Sequence, residues 1–478
     1  MKIVLVHPAG SNWIPGQKDI STVVNRMAPV GLLSLASFLR KNGYDTAVYD
    51  CLGPHCEEKD HDHVRSILEE FPDVAGFSAT TSSFPNAARL CTAVKAQRPD
   101  IITVVGGVHA TAYGEKLLES YDSIDLLVTG EGERPLVDLA QGKAYCDISG
   151  LVYRDGERVL SNAPGGLIQD LDTLPFPAYD MLEGFPRKYF LPMFSSPGSP
   201  GATMITSRGC PYGCSYCDRS VFGRKFRFNS AQYVYEHMLL LSKDYGVRHI
   251  NIYDDLFTLD RDRIVQLCEM LIEKPLGVTF NCAVRVGHAD GEILSLLKNA
   301  GAWMISLGIE SGDQELLNRY KPGMNLTEVR DTVSAIRNAG LKVKGLFMAG
   351  LPGETSETLA ATSDFIISLG LDDMNLSKFT PFAGAPLWEE LKDDERFEED
   401  WEKMNCLNFV YVSDGFESRE DLELCYASAV KRFYTDPGWR KRFWGRAWQC
   451  RHSFGLFLRH LPAFLKARRH FDPECISS

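Results

Sequence analysis

Three cysteines fall within eight residues, in the segment Cys210-Pro-Tyr-Gly-Cys214-Ser-Tyr-Cys217. Thiolates at this spacing can converge on one metal centre. Structural zinc has four protein ligands in paired Cys-x2-Cys spacing, and the sequence holds no second pair. Iron–sulfur clusters are commonly held by four thiolates, so three leave one iron open to a non-protein group. The spacing predicts a redox cluster with an open position; the alternatives are zinc completed by a distant ligand, and three buried structural thiols.

The cysteine motif comes directly after a predicted strand. From residue 202 onward, short apolar runs alternate with segments of helical spacing. The predicted strands are 202–209, 249–255, 277–284, 303–311, 342–351 and 373–382. The predicted helices are 231–245, 260–273, 291–300, 326–339 and 355–369. Six βα units predict a partial TIM-like barrel, in which function lies at the C-terminal ends of the strands.

An earlier α/β unit precedes this barrel. Its predicted strands are 2–8, 45–50, 73–79, 101–107 and 125–130, with helical spacing over 30–43, after Phe84 and after Tyr113. This alternation predicts a doubly wound parallel sheet, which binds ligands beyond the carboxyl ends of its strands. Those ends are small, polar or glycine-rich: Ser78–Ser83, Gly106–Thr111 and Gly130–Glu133. They predict a ligand site, although glycines that merely turn the chain are the alternative at each.

The composition limits the class of protein. A hydrophobic content of 44% in 478 residues indicates a globular chain of two or three domains. The net charge of -12 argues against nucleic-acid binding. No run reaches the ~20 apolar residues of a membrane span, and MKIVLVHPAG is typical of a buried strand rather than a signal peptide. Thirteen cysteines without a regular framework favour a reducing, cytoplasmic location.

The segments divide into four predicted regions. Residues 1–145 form the doubly wound domain, 146–200 a hairpin and a proline-rich linker, 201–390 the barrel, and 391–478 a helical region rich in basic and aromatic residues. The last region has many Lys and Arg but no Asp or Glu between Pro437 and Phe471. It predicts either a helix lying on an anionic membrane or a helix packed on the acidic barrel.

The cysteine motif, with Tyr216 before its last cysteine, resembles the signature of radical S-adenosylmethionine enzymes. The resemblance implies a [4Fe-4S] cluster on Cys210, Cys214 and Cys217, whose open iron is chelated by the methionine group of S-adenosylmethionine. One electron from the cluster then cleaves the S–C5′ bond and yields a 5′-deoxyadenosyl radical. Residues matching further positions of this family are implied to contact S-adenosylmethionine: Tyr216, Asp254, Asp255, Arg285, Glu310 and Phe347.

A doubly wound domain followed by a linker and this barrel resembles the cobalamin-binding class of these enzymes. The residues implied to contact cobalamin are Ser78, Thr80, Gly106, Gly107, His109, Thr111, Gly130 and Glu131. The Asp-x-His-x-x-Gly motif that ligates cobalt is missing, since His61 and His63 have the wrong spacing and are expected to face solvent. A degenerate domain without cobalamin remains an alternative. A dinucleotide site is disfavoured, because His7-Pro8 replaces the glycine motif.

The resemblance implies a function for the whole chain. It favours cobalamin-dependent methylation of an unactivated carbon. The alternatives are an oxidative cyclisation or rearrangement, as in the anaerobic magnesium-protoporphyrin ester cyclase, and a non-catalytic cobalamin sensor or scaffold. The expected partners are a small hydrophobic substrate, an electron donor such as flavodoxin or ferredoxin, and a membrane surface touched by the C-terminal tail. No nucleic acid is expected, and the sequence does not identify the substrate.

Overall fold

The structure, a computed structural model, describes residues 1–10, 26–54, 56 and 58–468. Its strands form two large sheets and one two-stranded ribbon. This arrangement confirms the predicted α/β class. The N-terminal sheet is built from β1 (Lys2–His7), β2 (Asp45–Asp50), β3 (Val74–Ser78), β4 (Ile102–Gly106), β5 (Leu126–Val128), β6 (Leu151–Asp155) and β7 (Arg158–Ser161). Its helices are α1 (Val30–Lys41), α2 (Asp60–Glu69), α3 (Phe84–Gln97), α4 (Val108–Tyr113), α5 (Glu115–Ser120) and α6 (Glu133–Ala140).

The N-terminal sheet has the order β2-β1-β3-β4-β5-β6-β7, in which β1 to β5 run parallel. Alternate side chains of β1 enter different cores, because successive residues of a strand point to opposite faces. Val4 and Val6 pack beneath α2 to α5, whereas Ile3 and Leu5 pack beneath α1 and α6. Burial on both faces explains why the five parallel strands appear in the sequence as nearly continuous apolar runs.

Two details differ from the sequence expectations. The helix expected after Tyr113 already begins at Val108, because Gly107 has a φ of 99° and turns the chain directly from β4 into α4. The hairpin of β6 and β7 does not stand apart from the first domain. It extends the N-terminal sheet, with β6 antiparallel to β5.

The second sheet is a curled half-barrel of parallel strands in the order β15-β14-β13-β12-β11-β8. Its strands are β8 (Gly201–Met204), β11 (His249–Ile252), β12 (Thr279–Val284), β13 (Ala302–Glu310), β14 (Lys342–Ala349) and β15 (Asp373–Lys378). The ribbon consists of β9 (Ser207–Arg208) and β10 (Arg227–Phe228). The helices that cover the barrel are α7 (Ala231–Lys243), α8 (Arg261–Glu273), α9 (Gly291–Asn299), α10 (Gln314–Tyr320), α11 (Leu326–Asn338) and α12 (Ser356–Leu369).

Between the sheets, residues 162–200 run as irregular chain with short 3-10 turns at Leu171–Thr173 and Tyr179–Met181. After the barrel the chain continues through α13 (Pro386–Leu391), α14 (Arg419–Thr435), α15 (Pro437–Gln449) and α16 (Ser453–Arg468). The loop between α13 and α14 returns to the N-terminal domain, where Trp401 packs against Phe84 and Tyr113.

One face of α15 packs on the half-barrel at the beginning of its strands. Trp439 Nε1 and Arg446 Nη1 donate to the carbonyl oxygen of Asp372 at 3.1 and 2.7 Å. This face of the tail therefore packs on the barrel, which is one of the two arrangements that the sequence left open. Residues 469–478, which include the last basic residue of the tail, lie outside the described residues. Over the described part of the chain, no helix has both the length and the apolarity to cross a membrane.

Candidate functional site

The three cysteines lie on a long loop that begins at β9 and ends at β10. Gly209 has a φ of 83°, and its α-carbon lies so close to the carbonyl of Lys225 that no side chain would fit. Hydrogen bonds from the backbone hold the middle of the loop on the barrel. Ser215 N donates to Tyr320 O at 3.1 Å, and Ser215 O accepts from Leu387 N at 2.9 Å. We call residues 209–226 the cluster loop.

The cluster loop and the ends of the barrel strands enclose a cavity of about 590 Å³, here called the cluster cavity. Cys210, Cys214 and Cys217 all line it. Burial raises the pKa of Cys217 to about 12, with Asp255 adding to the effect. Ligation by a metal removes such thiol protons. Within the described residues, no three His, Cys, Asp or Glu side chains gather as they would around a single ion. A cluster differs from a single ion in that each thiolate ligates a separate iron.

Charged groups at the ends of β12 and β13 also line the cluster cavity. Glu310 ends β13 with a φ of 72°, where the register between β13 and β14 shifts. Its carboxylate accepts a hydrogen bond from Lys321 Nζ at 2.9 Å, and Lys321 also donates to Gly308 O at 2.7 Å. The guanidinium of Arg285 lies 3.8 Å from the centre of the Tyr212 ring. The cavity thus has a carboxylate at one wall and a cation at another.

Tyr216 and Asp255 also line the cluster cavity. Burial raises the pKa of Tyr216, and the neighbouring Glu310 carboxylate raises it further. Burial likewise raises the pKa of Asp255, with the charge of Asp254 as the next cause. Of the residues that the sequence analysis assigned to this site, the structure therefore brings together the cysteines, Tyr216, Asp255, Arg285 and Glu310.

Two predicted residues do not reach the cluster cavity. Asp254 is buried, and its carboxylate accepts hydrogen bonds from Thr206 N at 2.5 Å and Ser207 N at 3.2 Å. It therefore fastens the turn between β8 and β9. Phe347 points outward into the core between β14 and the helices, because side chains alternate along a strand. Its neighbour Leu346 lines the cavity instead.

A second cavity of about 330 Å³ lies between the carboxyl edge of the N-terminal sheet and the barrel. We call it the interdomain cavity. Six glycines shape its wall: Gly31, Gly76, Gly106, Gly107, Gly130 and Gly132. Leu5, Val104 and Val128 give the wall an apolar surface, and Ser78 adds a hydroxyl. Glycine backbone beside apolar strands provides a flat slot that a large ring can approach closely.

Glu131, also predicted for this domain, lines the interdomain cavity as well, and Gly107, Thr111 and Thr80 shape the loops around it. A side chain at Gly107 would bring its Cβ to 2.7 Å from Ala79 O, so the chain needs glycine there. Thr111 Oγ1 donates to Gly107 O at 2.8 Å and accepts from Gly130 N at 3.1 Å, and so ties two strand ends together. Thr80 is exposed, and its backbone N–H bonds Ser83 Oγ at 2.9 Å. Neither threonine lines the interdomain cavity.

His109, predicted to contact cobalamin, lies within α4 and is fully buried. Its ring packs 4.4 Å from the Phe84 ring, 4.4 Å from Tyr113 and 4.6 Å from Trp401. Among the described residues neither ring nitrogen has a hydrogen-bond partner, and burial lowers its pKa to about 3. The structure thus gives His109 a packing position, because α4 begins one turn earlier than the sequence suggested.

The histidines of α2 require a second correction. His61 is exposed as expected, with 71% of its side chain accessible. His63 is buried, and its Nδ1 lies 3.0 Å from the hydroxyl of Tyr49. It occupies the inner face of α2 beside Val64 and Ile67, because helical periodicity brings one residue in every three or four to the core.

The two cavities share a wall. Val221 and Phe222 of the cluster loop and Asp255 after β11 line both of them. Ile205 and Tyr253 also face the interdomain cavity from the barrel mouth, with exposed fractions of 40% and 45%. Such exposure of apolar residues at the end of interior strands indicates open space in front of them. Groups bound in the two cavities would therefore face each other across one layer of side chains.

Four buried charges join the loop after β5 to the cluster loop. Arg208 donates to Glu131 and to Glu133, each at 2.6 Å, and Arg227 donates to Glu131 at 3.0 Å. Arg208 and Arg227 are paired residues at the base of the cluster loop. Ile168 N from the linker donates to the other oxygen of Glu131 at 2.7 Å. Two positive and two negative charges balance, as buried charges require.

Sequence reasoning missed several residues of this site. Arg208 directly precedes Gly209-Cys210, and this position beside the motif could have indicated a role in the site. Arg227 and Lys321 carry no local signal, since each becomes relevant only when its strand or helix packs beside another. Glu133 was part of the glycine-rich segment but was not assigned a role.

Comparison with known proteins adds the following matches. The model of the Radical SAM superfamily matches residues 204–366, and that of the B12 binding domain matches residues 16–140. An uncharacterized methyltransferase of Pyrococcus horikoshii is 30% identical over 91% of this chain and 93% of its own length. The anaerobic magnesium-protoporphyrin IX monomethyl ester cyclase of Rubrivivax gelatinosus is 28% identical over 91% of this chain and 78% of its own length.

A solved structure is similar along most of the chain. It is the radical S-adenosylmethionine methyltransferase TsrM from Kitasatospora setae, with cobalamin and a [4Fe-4S] cluster bound. The TM-score is 0.68 at 18% sequence identity, covering 91% of this chain and 89% of that one. At this identity the likeness concerns the fold.

Proposed function

The chain belongs to the radical S-adenosylmethionine superfamily and carries a B12 binding domain, and from this premise we propose that it methylates an unactivated carbon of a small, largely hydrophobic substrate. Its cofactors are a [4Fe-4S] cluster, S-adenosylmethionine and cobalamin. The observation that carries the proposal is the shared wall: Val221, Phe222 and Asp255 line both cavities. A carbon radical formed from one side could therefore receive a methyl group from the other without leaving the protein.

The cavities fit these groups. Three thiols and an open space of about 590 Å³ suit a cluster with a bound small molecule, and a glycine-lined apolar slot suits a flat macrocycle. When bound, the cluster supplies the electron that cleaves S-adenosylmethionine, and cobalamin carries the methyl group. His237 is a histidine in the lining of the slot, and its Nε2 is 3.1 Å from the Tyr179 hydroxyl. His237 does not belong to the missing cobalt-ligating motif. The surface that the protein offers to cobalamin is formed mainly by glycines and apolar side chains.

Different residues of the cluster cavity bind the cluster and the methionine part of S-adenosylmethionine. Cys210, Cys214 and Cys217 hold the cluster. Arg285 neutralises the methionine carboxylate, since it lines the cavity as a permanent cation beside Tyr212. Asp255 accepts from the methionine amino group, and its place in the wall of both cavities supports this role.

The nucleoside part of S-adenosylmethionine lies toward the ends of β13 and β14. Glu310 accepts from the ribose hydroxyls, because Lys321 holds its carboxylate in place at 2.9 Å. Tyr216 packs beside the adenine, which its position next to Glu310 supports. Leu346 takes the place in the lining that the sequence suggested for Phe347.

The substrate lies at the mouth of the barrel, against Ile205 and Tyr253. The Tyr253 hydroxyl accepts a hydrogen bond from Asn251 Nδ2 at 3.1 Å and leaves its ring exposed to the interdomain cavity. An apolar side chain and an aromatic ring favour a hydrophobic substrate portion at this point.

Oxidative cyclisation or rearrangement is the second candidate. The similarity to the magnesium-protoporphyrin ester cyclase, 28% identity over 91% of this chain, favours it. The two candidates differ in the fate of S-adenosylmethionine. Methylation consumes one molecule as the radical source and a second as the methyl donor, which leaves S-adenosylhomocysteine. Cyclisation leaves only 5′-deoxyadenosine and methionine.

The test uses anaerobically purified protein loaded with iron, sulfide and cobalamin. S-adenosylmethionine with a deuterated methyl group is added with a chemical reductant, and both nucleoside products are quantified. S-adenosylhomocysteine that depends on cobalamin, together with 5′-deoxyadenosine, supports methylation. Deoxyadenosine without S-adenosylhomocysteine from cobalamin-loaded protein contradicts methylation and favours cyclisation.

Several further expectations stay predictions. A flavodoxin or ferredoxin reduces the cluster, a cytoplasmic location suits its three free thiols, Cys210, Cys214 and Cys217, and nucleic acid is no partner. Each rests on the sequence reasoning and on the chemistry of an oxygen-sensitive cluster.

A further inference from the structure

Helix α15, in the C-terminal region, has an outer face that nothing in the described part of the protein covers. We call Arg440, Lys441, Trp444, Trp448 and Arg451 the α15 outer face. After the adjacent Arg440 and Lys441, the others follow at spacings of three or four positions, so they form one stripe along the helix and its end. We propose that this face docks the protein on the surface of an anionic phospholipid bilayer.

The first observation is the exposure of two tryptophans. The sequence has seven tryptophans, and Trp13 lies outside the described residues. Of the others, Trp303, Trp388 and Trp439 are buried and Trp401 is half-buried, whereas Trp444 and Trp448 are 67% and 73% exposed. Two large aromatic side chains exposed together on one stripe mark this face as an interaction surface.

The second observation is the arrangement of charge. On the opposite face of α15, Arg446 is buried, donates to Asp372 O at 2.7 Å and lies 3.6 Å from Asp373. Arg442 Nε donates to Leu371 O at 3.2 Å. Arg440, Lys441 and Arg451 have no ion pair with any described residue. The helix thus anchors itself with its inner cations and leaves its outer cations free.

The chemistry of the outer face selects its occupant. Tryptophan is enriched where hydrocarbon meets lipid headgroups, and a helix with Trp beside Lys and Arg lies in the plane of an anionic membrane. A second copy of this face is disfavoured, because it would bring like charges together. The acidic remainder of the chain, with a net charge of -12 overall, repels an anionic surface, so attraction must come from this localised basic stripe.

The position of α15 sets the orientation on the bilayer. Its inner face contacts the beginnings of the barrel strands, with Trp303 Nε1 at 3.3 Å from Gln449 Oε1 and Trp439 Nε1 at 3.1 Å from Asp372 O. The cofactor cavities lie at the opposite ends of these strands. Docking through α15 therefore leaves both cavities facing away from the lipid, and loss of docking leaves cofactor binding intact.

The experiment is flotation of the full chain, loaded with iron, sulfide and cobalamin, with lipid vesicles. One set contains phosphatidylcholine alone, and the other contains phosphatidylcholine with phosphatidylglycerol. We expect binding to the second set only, weakened by high salt. Each Lys or Arg near an anionic surface contributes roughly a fivefold factor, so Arg440→Gln with Lys441→Gln should weaken partitioning about 25-fold. Trp444→Ala with Trp448→Ala should weaken it comparably.

Matched controls lie on the N-terminal domain. Phe71 is 77% exposed, and Phe71→Ala should leave partitioning unchanged, as should Lys116→Gln with Arg158→Gln at exposed positions. Every variant should retain wild-type iron and cobalamin contents. Equal binding to both vesicle types, no binding to either, or unchanged binding of the α15 variants would overturn the proposal. So would binding of a short single-stranded oligonucleotide, lost in the same variants, without vesicle binding.

Discussion

Glu131 and Arg208 form a buried ion pair of 2.6 Å that joins the wall of the interdomain cavity to the base of the cluster loop. The side chains are only 6% and 17% exposed, so water screens the pair little. Arg208 stands two residues before Cys210, and its partner in the ribbon, Arg227, also donates to Glu131. These ion pairs therefore connect the cluster loop, which lines the cluster cavity, to the loop after β5, which lines the interdomain cavity.

These ion pairs predict that binding in the cluster cavity is coupled to binding in the interdomain cavity. In the wild type, bound cobalamin should tighten S-adenosylmethionine binding, and linkage requires the reverse effect to be of equal size. Coupling of this kind is typically about fivefold or more. Glu131→Gln should reduce it toward unity and lower the cluster content, since Arg208 and Arg227 lose a shared carboxylate. Equilibrium binding of each cofactor with and without the other measures both directions.

Glu423→Gln provides the control for this coupling. Glu423 pairs with the buried Lys378 on the outer side of the barrel, away from both cavities, so the variant loses a similar ion pair. Coupling that survives in Glu131→Gln, or that disappears equally in Glu423→Gln, would contradict the role of Glu131.

The second prediction concerns the cysteines. Cys214→Ala should abolish 5′-deoxyadenosine formation and lower the iron content, because the cluster loses one of its three ligands. Cys282 lies on β12, is fully buried in the barrel core and does not line the cluster cavity. Cys282→Ala should keep the iron content and the absorption of the cluster. An unchanged iron content in Cys214→Ala would refute the assignment of the cluster.

The pair of Glu310 and Lys321 makes the third. Glu310→Gln should weaken S-adenosylmethionine binding about 10-fold or more, because a hydrogen bond to a charged group contributes ~1.5–3 kcal/mol. Lys321→Met should weaken it as well, since the carboxylate loses the group that orients it. Lys344→Met on β14 is the control, because Lys344 does not line the cluster cavity. Equal dissociation constants for Glu310→Gln and the wild type would remove Glu310 from the site.

His109 makes the fourth prediction, which concerns stability. Burial lowers its pKa to about 3, whereas an unfolded histidine has a pKa of about 6.5. Between these values the unfolded chain binds a proton that the folded protein does not, so the free energy of unfolding falls as the pH falls. His109→Phe removes this loss. We expect the variant to gain about 1.4 kcal/mol relative to the wild type per pH unit below ~6.

Calorimetric unfolding between neutral and mildly acidic pH measures this difference. His61→Phe, at an exposed position on the same domain, should reproduce the wild-type slope. If His109→Phe unfolds with the same pH dependence as the wild type, His109 is not neutral within its aromatic surroundings.

The sequence predicted the strands well, because apolar runs and turn residues are local signals. β1, β2 and β12 to β15 begin within two residues of their expected positions. Orientation around a strand or helix was harder to predict. Phe347 and Asp254 belong to the right segments but face the core and a backbone turn, since neighbours along a strand alternate in direction.

Contacts between distant segments were beyond sequence reasoning. Glu131 meets Arg227 across 96 positions of the chain, and Trp401 reaches His109 from a loop that no motif marks. Neither contact follows from spacing, because each depends on how two separately folded layers pack. The environment of His109 therefore could not be inferred, although the residue itself stood out.

The return of Trp401 to the N-terminal domain also has a consequence during synthesis. A ribosome makes the chain from its N-terminus, and N-terminal domains generally fold first. The Phe84, His109 and Tyr113 rings must then remain uncovered while nearly 300 further residues are added. Trp401 can cover these rings only after the barrel has been translated. Newly made protein therefore passes through a stage with an apolar opening, at which a molecular chaperone can act before the opening is sealed.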